Sequence, residues 1–467
     1  MAPAPNAAAG SRKPGRSVRL AALLALALAA GTAAAAPAAA APPPGTPVPD
    51  RIASTGNTFF DTVTHLEFLP RGANYVRLAG PAGAPWHSTF EPGLYDSAGA
   101  GRMLNFLKTA SGYNTVRVFV DSGGTGLGHG IGANPVGPGG LRAAYLDGLA
   151  DFVSQAAANG IYVMLSADSV PFNRYYDDWV AKVPGAPFPD ATDFNSYYLD
   201  PGWILAKQAY LQNLTTLLES RLGAYRTAIL AYETDNEVFF HTDELPFSQG
   251  AGRYTLHATG DTYDMGTPAG RQNLLQDGLA KYANAAVQAV HAADAQALVT
   301  VGLGTNFAVG KAGQTGLPVR CDAGPSCPTV PLYKYWYPGD PVTVAAKSAI
   351  DFVDMHVYPQ GGGYSIAADL ASSGVPNLSK PFMLGELGAD KTVYPDIRVA
   401  AVDMRTKQVQ SCAVGRGAKG WLFFTYDSDI VVPNLGNQGR YYSLLDPDGS
   451  GIINGALAPV RNPSPCG

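Results

Sequence analysis

Residues 229–240 read ILAYETDNEVFF. The stretch opens as an unbroken apolar run, Ile229-Leu230-Ala231-Tyr232, and then sets Glu233, Asp235, Asn236 and Glu237 close together before aromatics return. An apolar run of this length is the pattern of a parallel strand covered on both faces. A strand of that kind that ends in three carboxylates and an amide delivers polar groups to the open end of a buried sheet.

Seven other runs share this character: RGANYVRL (71–78), YNTVRVFV (113–120), IYVMLSAD (161–168), ALVTVGLG (297–304), DFVDMHVYP (351–359), PFMLGELG (381–388) and GWLFFTYDS (420–428). Helical patterns separate most of them. LRAAYLDGLADFVSQAAANG, ILAKQAYLQNLTTLLESRLG, RQNLLQDGLAKYANAAVQAVHAADA and DIRVAAVDMRTKQVQSCAVGRG carry apolar residues at helical spacing, three of them with a glycine stop at or near the end. Eight alternations predict an α/β chain folded as a (β/α)8 TIM barrel. STGNTFFDTVTHLEFL (54–69) is expected to form an N-terminal β-hairpin plugging the barrel bottom, and the segment 441–462 to give a turn and a last helix. Long insertions follow runs two to five, on the C-terminal face where barrel sites are built. No internal repeat and no second-domain linker is found.

The N-terminus has the form of a secretory signal: Arg12, Lys13, Arg16 and Arg19, then LAALLALALAAGTAAAA, then small residues. We expect a signal peptide over 1–41, a Pro-rich leader over 42–54, and a single catalytic barrel over 55–467. The mature protein is expected to be secreted and monomeric, with no membrane association after cleavage, since no later segment reaches about 18 uninterrupted apolar residues. Export makes disulfides the natural state of the four cysteines, and Cys321–Cys327 and Cys412–Cys466 are the expected pairs. The chain of 467 residues is 15% charged with a net charge of -5, which argues against a basic nucleic-acid surface.

A barrel brings strand ends to one mouth. Glu237 and Asn236 end run four, Glu386 ends run seven, and Arg117, Asp168, His356, Tyr358 and Tyr426 stand at or near other strand ends. Two carboxylates across a polar cleft suit glycoside hydrolysis, one protonating the leaving oxygen and the other attacking or activating water. Arg117 is expected to stabilise a carboxylate, Asn236 to bond a sugar 2-hydroxyl, and Tyr358 to donate to the nucleophile. Strand alternation sets Glu233 and Asp235 apart from Asn236. Each residue also has a plainer reading: a structural ion pair for Arg117, a satisfied strand-end histidine for His356, a helix cap for Asp168. Trp179 and Trp336, in PFNRYYDDWV and PLYKYWYPGD, offer faces for sugar rings or simply pack their loops. GGTGLGHGIG (123–132) lacks the context of a phosphate loop and is read as a flexible lid or cleft wall. DPDGSG (446–451) resembles a calcium loop without its distal glutamate and is read as a turn. No cofactor and no metal is expected.

Together these residues resemble the clan of retaining (β/α)8 glycoside hydrolases that includes the family 5 cellulases and mannanases. The resemblance rests on Asn236-Glu237 ending strand four, Glu386 ending strand seven, Arg117 in NTVRVF, the His-x-Tyr of HVYP and the opening FLPRGANYV, and it spans roughly residues 55 to 460. It implies Glu237 as acid/base, Glu386 as nucleophile, a covalent glycosyl-enzyme, and a β-linked polysaccharide or oligosaccharide as substrate. Such an enzyme has its carboxyl groups about 5–5.5 Å apart. Two departures stand out: Val238 follows Asn-Glu where proline is usual, and Trp421 lies at the start of strand eight, with Tyr426 nearer the mouth. The alternatives are a transglycosylase on the same site, a non-catalytic glycan-binding barrel, which would be expected to lack one glutamate, and a metal-dependent hydrolase, which would want more than the seven histidines of this chain supply at strand ends.

Overall fold

Eight parallel strands carry the apolar runs: β1 (Arg71–Arg77), β2 (Thr115–Phe119), β3 (Tyr162–Ser166), β4 (Ile229–Glu233), β5 (Leu298–Thr300, resuming as Gly302–Gly304), β6 (Val353–Val357), β7 (Phe382–Gly388) and β8 (Trp421–Asp427). The computed structural model describes residues 48–77, 87–183, 194–305, 336–359, 363–427, 441–444 and 451–466. The first half of β5 pairs with β4 and the second half with β6, with only Val301 between them. The remaining order, β4-β3-β2-β1-β8-β7-β6, joins the two halves. The sheet therefore closes on itself as the predicted barrel.

A helix follows each strand: α1 (Ser97–Thr109), α2 (Ala143–Ala158), α3 (Pro201–Leu222), α4 (Pro268–His291), α5 (Pro341–Lys347), α6 (Ile366–Ser372), α7 (Ile397–Ser411) and α8 (Ile452–Leu457). Three of them start with the same device. Asp200, Thr267 and Asp340 accept backbone N–H bonds as N-caps, and a proline follows each at the first helical position. The cap satisfies orphan donors, and the proline loses nothing because its N–H would be orphaned there. Outward strand residues such as Val116, Val118, Val163 and Leu165 pack with Leu146, Leu149 and Val153 of α2 in the main core.

The bottom is closed by the N-terminal strands Ile52–Thr55, Thr58–Asp61 and Glu67–Phe68, an antiparallel meander. Its first strand starts at Ile52, inside the stretch expected to be leader. Ile52 and Phe59 meet Met164, Leu230, Met383 and Leu422 in a second apolar cluster, and Phe59 sits edge-on to Phe352 at 5.0 Å. The interior thus changes character along its axis, apolar at the plug and polar above it. Cys412, following α7, is bonded to Cys466. The signal sequence, Cys321, Cys327 and most of DPDGSG lie outside the described residues. Among those described, no helix is long and apolar enough to cross a membrane.

Phe59 has no exposed surface. Phe59→Ala is expected to lower unfolding free energy by about 3–5 kcal/mol, as cavity-forming aromatic truncations do. Urea denaturation of the two proteins checks it.

Candidate active site

Arg117 stands inward from β2 with no exposed surface, and its guanidinium is surrounded by acceptors. Nε donates to Glu233 Oε2 at 2.8 Å, and Nη2 lies 2.6 Å from the same oxygen. Nη1 donates to Asn74 Oδ1 at 2.6 Å and to Glu386 Oε1 at 2.7 Å. Nη2 also donates to Asn236 Oδ1 at 2.6 Å and to Ser166 Oγ at 3.3 Å. The ring of Phe119 covers the guanidinium at 4.5 Å. One cation thus binds together the ends of β1, β2, β3, β4 and β7. Burial alone would favour its neutral form, but Glu233, Glu386 and Asp354 outweigh that and hold it charged.

Glu386 is 3% exposed. Its Oε2 accepts from the Tyr358 hydroxyl, while Oε1 takes the Arg117 bond. Burial, the largest influence, raises its pKa and the Glu237 charge adds to that; His356, Arg117 and Tyr358 pull the other way but only in part, so the net shift is upward. Glu237 lies beyond the end of β4, its side chain 28% exposed. An oxygen of Glu237, an oxygen of Glu386 and a ring nitrogen of His356 all lie within 4.8 Å of one another. The two carboxylates are therefore close enough to act on one bond.

His356 joins the two glutamates to a deeper layer. Nδ1 is 3.0 Å from Glu237 Oε1 and 3.7 Å from Glu386 Oε2, while Nε2 is 3.5 Å from both Glu233 Oε1 and Asp354 Oδ2. Burial would lower its pKa, yet Glu386, Asp354, Glu233 and Glu237 together outweigh that and raise it, favouring the charged ring. The deeper contacts are ion pairs too long or ill-directed for hydrogen bonds. Glu233 Oε1, both Asp354 oxygens and His356 Nε2 are buried without a hydrogen-bond partner. Two glycines make room for them: a Cβ on Gly385 would stand 2.1 Å from Asp354 Oδ1, and one on Gly302 would stand 2.3 Å from Glu233 Oε1.

The structure redistributes several expected roles. Arg117 and His356 have no exposed surface, and their partners are the carboxylates Glu233, Glu386 and Glu237. Asn236 and Glu233 share Arg117, contrary to the alternation expected, because β4 ends at Glu233 and the two-residue period lapses there. Asp235 does turn away, into the helix layer, where it meets Lys207 of α3 at 3.4 Å and accepts from Tyr282 of α4. Asp168 lines a cavity of about 200 Å³ beside Glu237. Tyr426 is not at the mouth; it stacks on Tyr75 at 5.1 Å, which packs on Phe152 of α2. The register of β8 against β1 shifts between Phe423 and Tyr426, and it is Phe424 that reaches the site, edge-on to Tyr358 at 5.9 Å. Trp179 is half-buried on a loop helix, Arg174–Val180, with Lys182 Nζ 3.0 Å over its ring. Trp336 begins a short strand paired with His241, and its side chain lies outside the described residues. The Gly-rich loop is a clasped wall: Gly124 N donates to His129 O, and Phe172 N to Gly123 O.

Asn74, Ser166 and Asp354 escaped the sequence reading. Asn74 and Asp354 sit within their strands and Ser166 closes β3, and the one visible signal was a polar residue inside an apolar stretch. Asp354→Asn removes a buried negative charge 3.5 Å from His356 Nε2. Opposite charges this close shift pKa values by about 1–3 units, so the His356 ring in Asp354→Asn should lose its proton at lower pH than in the parent. Imidazole NMR titration of the two proteins reads the difference, and an unmoved midpoint would exclude this coupling.

A family model described as Cellulase (glycosyl hydrolase family 5) matches residues 84–367, more than half of the chain; the match includes Glu237 and His356 and stops short of Glu386. No curated protein matches in sequence. Among solved structures the fold is similar to an endo-1,4-β-mannanase from Rhizomucor miehei, with a TM-score of 0.54 and 14% identity over 89% of this chain and 100% of that one. It is also similar to an exo-β-1,4-mannosidase from an Opitutaceae bacterium, with a TM-score of 0.53 and 18% identity over 88% of this chain. The chain spans 62% of that mannosidase's length. With the family match and the barrel both in hand, the chain belongs to glycosyl hydrolase family 5 and is a retaining glycosidase.

Proposed function

We propose that this glycosidase is exported and cleaves a β-linked polysaccharide or oligosaccharide by double displacement, with Glu386 as nucleophile and Glu237 as acid/base. The observation that carries the assignment is the pair's asymmetry. Glu386 is buried and held by Arg117 and Tyr358, while Glu237 is open to the cleft within 4.8 Å of it. A nucleophile needs donors that keep it ionised and aimed, and an acid/base needs access to leaving group and water.

In the first step a Glu386 oxygen attacks the anomeric carbon as the glycosidic C–O bond breaks. Glu237 gives its proton to the departing oxygen. In the second, Glu237 takes a proton from water as that water attacks the same carbon, and Glu386 leaves as a carboxylate. The configuration is inverted twice and so retained. Asn236, fixed by Arg117, keeps its amide N–H groups for a sugar hydroxyl. Among β-linked glycans, β-1,4-mannans and β-1,4-glucans come first, since the similar solved structures are named for β-1,4-mannan linkages and the family model for cellulase.

The test is hydrolysis of mannan, cellulose oligomers and activated aryl β-glycosides by the parent, Glu237→Ala and Glu386→Ala. Loss of a general acid costs about 10²–10⁴ in rate on unactivated substrate, and loss of the nucleophile should cost at least as much. Added azide should then separate the roles. Glu237→Ala should release a β-glycosyl azide from the covalent intermediate, and Glu386→Ala an α-glycosyl azide by direct attack. The opposite pattern would reverse the assignment, and full activity in either variant would end it. Export is checked by N-terminal sequencing of secreted protein, with a start close to residue 42 expected and an intact Met1 contradicting it.

A further inference from the structure

A second buried guanidinium is arranged quite differently from Arg117. Arg71 opens β1 and is 4% exposed. Its Nη1 donates to the carbonyls of Asn462 and Pro463, the latter at 3.2 Å, and its Nη2 to Leu457 O at 2.9 Å. All three acceptors are neutral. Among the described residues Arg71 makes no ion pair, and the charged side chain that acts on it is another cation, Arg405. Burial, the largest influence, brings its pKa down to about 10; the Arg405 charge adds to that and Tyr113 opposes it. A buried charge without a counter-charge is costly, and backbone dipoles offset only part of the cost.

The same place holds two unused donors. Arg71 Nε and the hydroxyl of Tyr113, a residue 2% exposed, are buried without a hydrogen-bond partner. Both residues line a cavity of about 10 Å³ bounded by the starts of β1 and β8 and by α7 and α8. That is room for about one water-sized sphere. Gln408 and Trp421 are the other polar side chains in its wall. Gln408 Oε1 already accepts from Arg405 Nη1 at 2.7 Å, and Trp421 Nε1 donates to Ser411 Oγ at 2.8 Å. The polar atoms left to face the cavity are donors, in the field of two guanidiniums. A water there would accept from both donors but would bring no charge to offset that field.

We propose that this cavity binds one monatomic anion, chloride being the common one, held between Arg71 Nε and the Tyr113 hydroxyl. Sulfate, phosphate and carboxylates are too large for it. The site lies where β1 and β8 begin, whereas Glu237 and Glu386 stand towards the other ends of their strands, so the proposal is independent of the glycosidase reading. Its effect follows from what Arg71 holds. The carbonyls of Leu457, Asn462 and Pro463 belong to the last helix and the tail, which the Cys412–Cys466 bond ties to α7. An anion that neutralises Arg71 therefore strengthens the anchorage of the chain's end to the barrel.

Crystals of the parent protein grown in sodium bromide, with data collected at the bromine absorption edge, should show an anomalous peak touching Arg71 Nε and the Tyr113 oxygen. In solution, Tm should rise with sodium chloride or bromide and level off, relative to sodium gluconate at the same ionic strength, because a ligand of the folded state stabilises by mass action. Tyr113→Phe keeps the ring and removes one donor. It should raise the halide concentration at the midpoint of that response about tenfold, the worth of one hydrogen bond to a charged partner. Density without anomalous signal would mean a water only, and a peak without the saturable, halide-specific rise in Tm an adventitious ion only; each overturns the proposal. A halide response in Tyr113→Phe equal to the parent's overturns it as well.

Discussion

A guanidinium without solvent needs an acceptor for every direction it points in, and Arg117 has them from four other strands. Removing such a charge from water costs several kcal/mol, recovered only if the partners are well placed. Each partner is therefore fixed by the requirement that it reach this one group. Asn74 must face it from β1, Glu233 from β4, and Glu386 from β7. Asn74 goes further and donates to Gly385 O at 2.8 Å, so the strand bearing Glu386 is held by backbone as well as side chain. Glu386 owes its position to the need to neutralise a cation that has no exposed surface.

The layering above and below follows from the same need. Beneath Arg117 the plug of Ile52 and Phe59 keeps water from entering at the bottom. Above it, Val76, Phe119 and Phe424 form a small apolar cluster with Tyr358 and Tyr441 packed against it. Between these apolar caps electrostatic interactions are weakly screened, which strengthens the hold of Arg117 and His356 on the glutamates.

Much of this was legible in the chain. ILAYETDNE and PFMLGELG show apolar runs ending in carboxylates, and a barrel necessarily brings such ends together. Arg117 in NTVRVF and His356 in HVYP were visible as polar residues in apolar runs. What sequence could not give was direction. Period-two reasoning fails where a strand stops, as at Glu233, or where register shifts, as in β8 before Tyr426. It also says nothing about contacts between distant helices, so Lys207 and Tyr282 looked like ordinary residues on α3 and α4 rather than as the partners of Asp235. Asp354 was hidden for a related reason: within DFVDMHVYP it is one of two aspartates, and only closure of the barrel shows which of them lies under the histidine.

The missing β-carbons of Gly302 and Gly385 set a rule for how this site can diverge. A Cβ on Gly385 would occupy the space of the Asp354 carboxylate, whereas one on Gly302 would stand 1.8 Å from the Asn236 carbonyl oxygen as well as 2.3 Å from Glu233 Oε1, so Gly302 is held by the backbone whatever becomes of Glu233. The first constraint can be lifted: once Asp354 is shortened, Gly385 is freed. A change at Gly385 must therefore follow the loss of Asp354 rather than precede it. A glycine left behind at position 385 in a relative without the acid would record an ancestor that once held it.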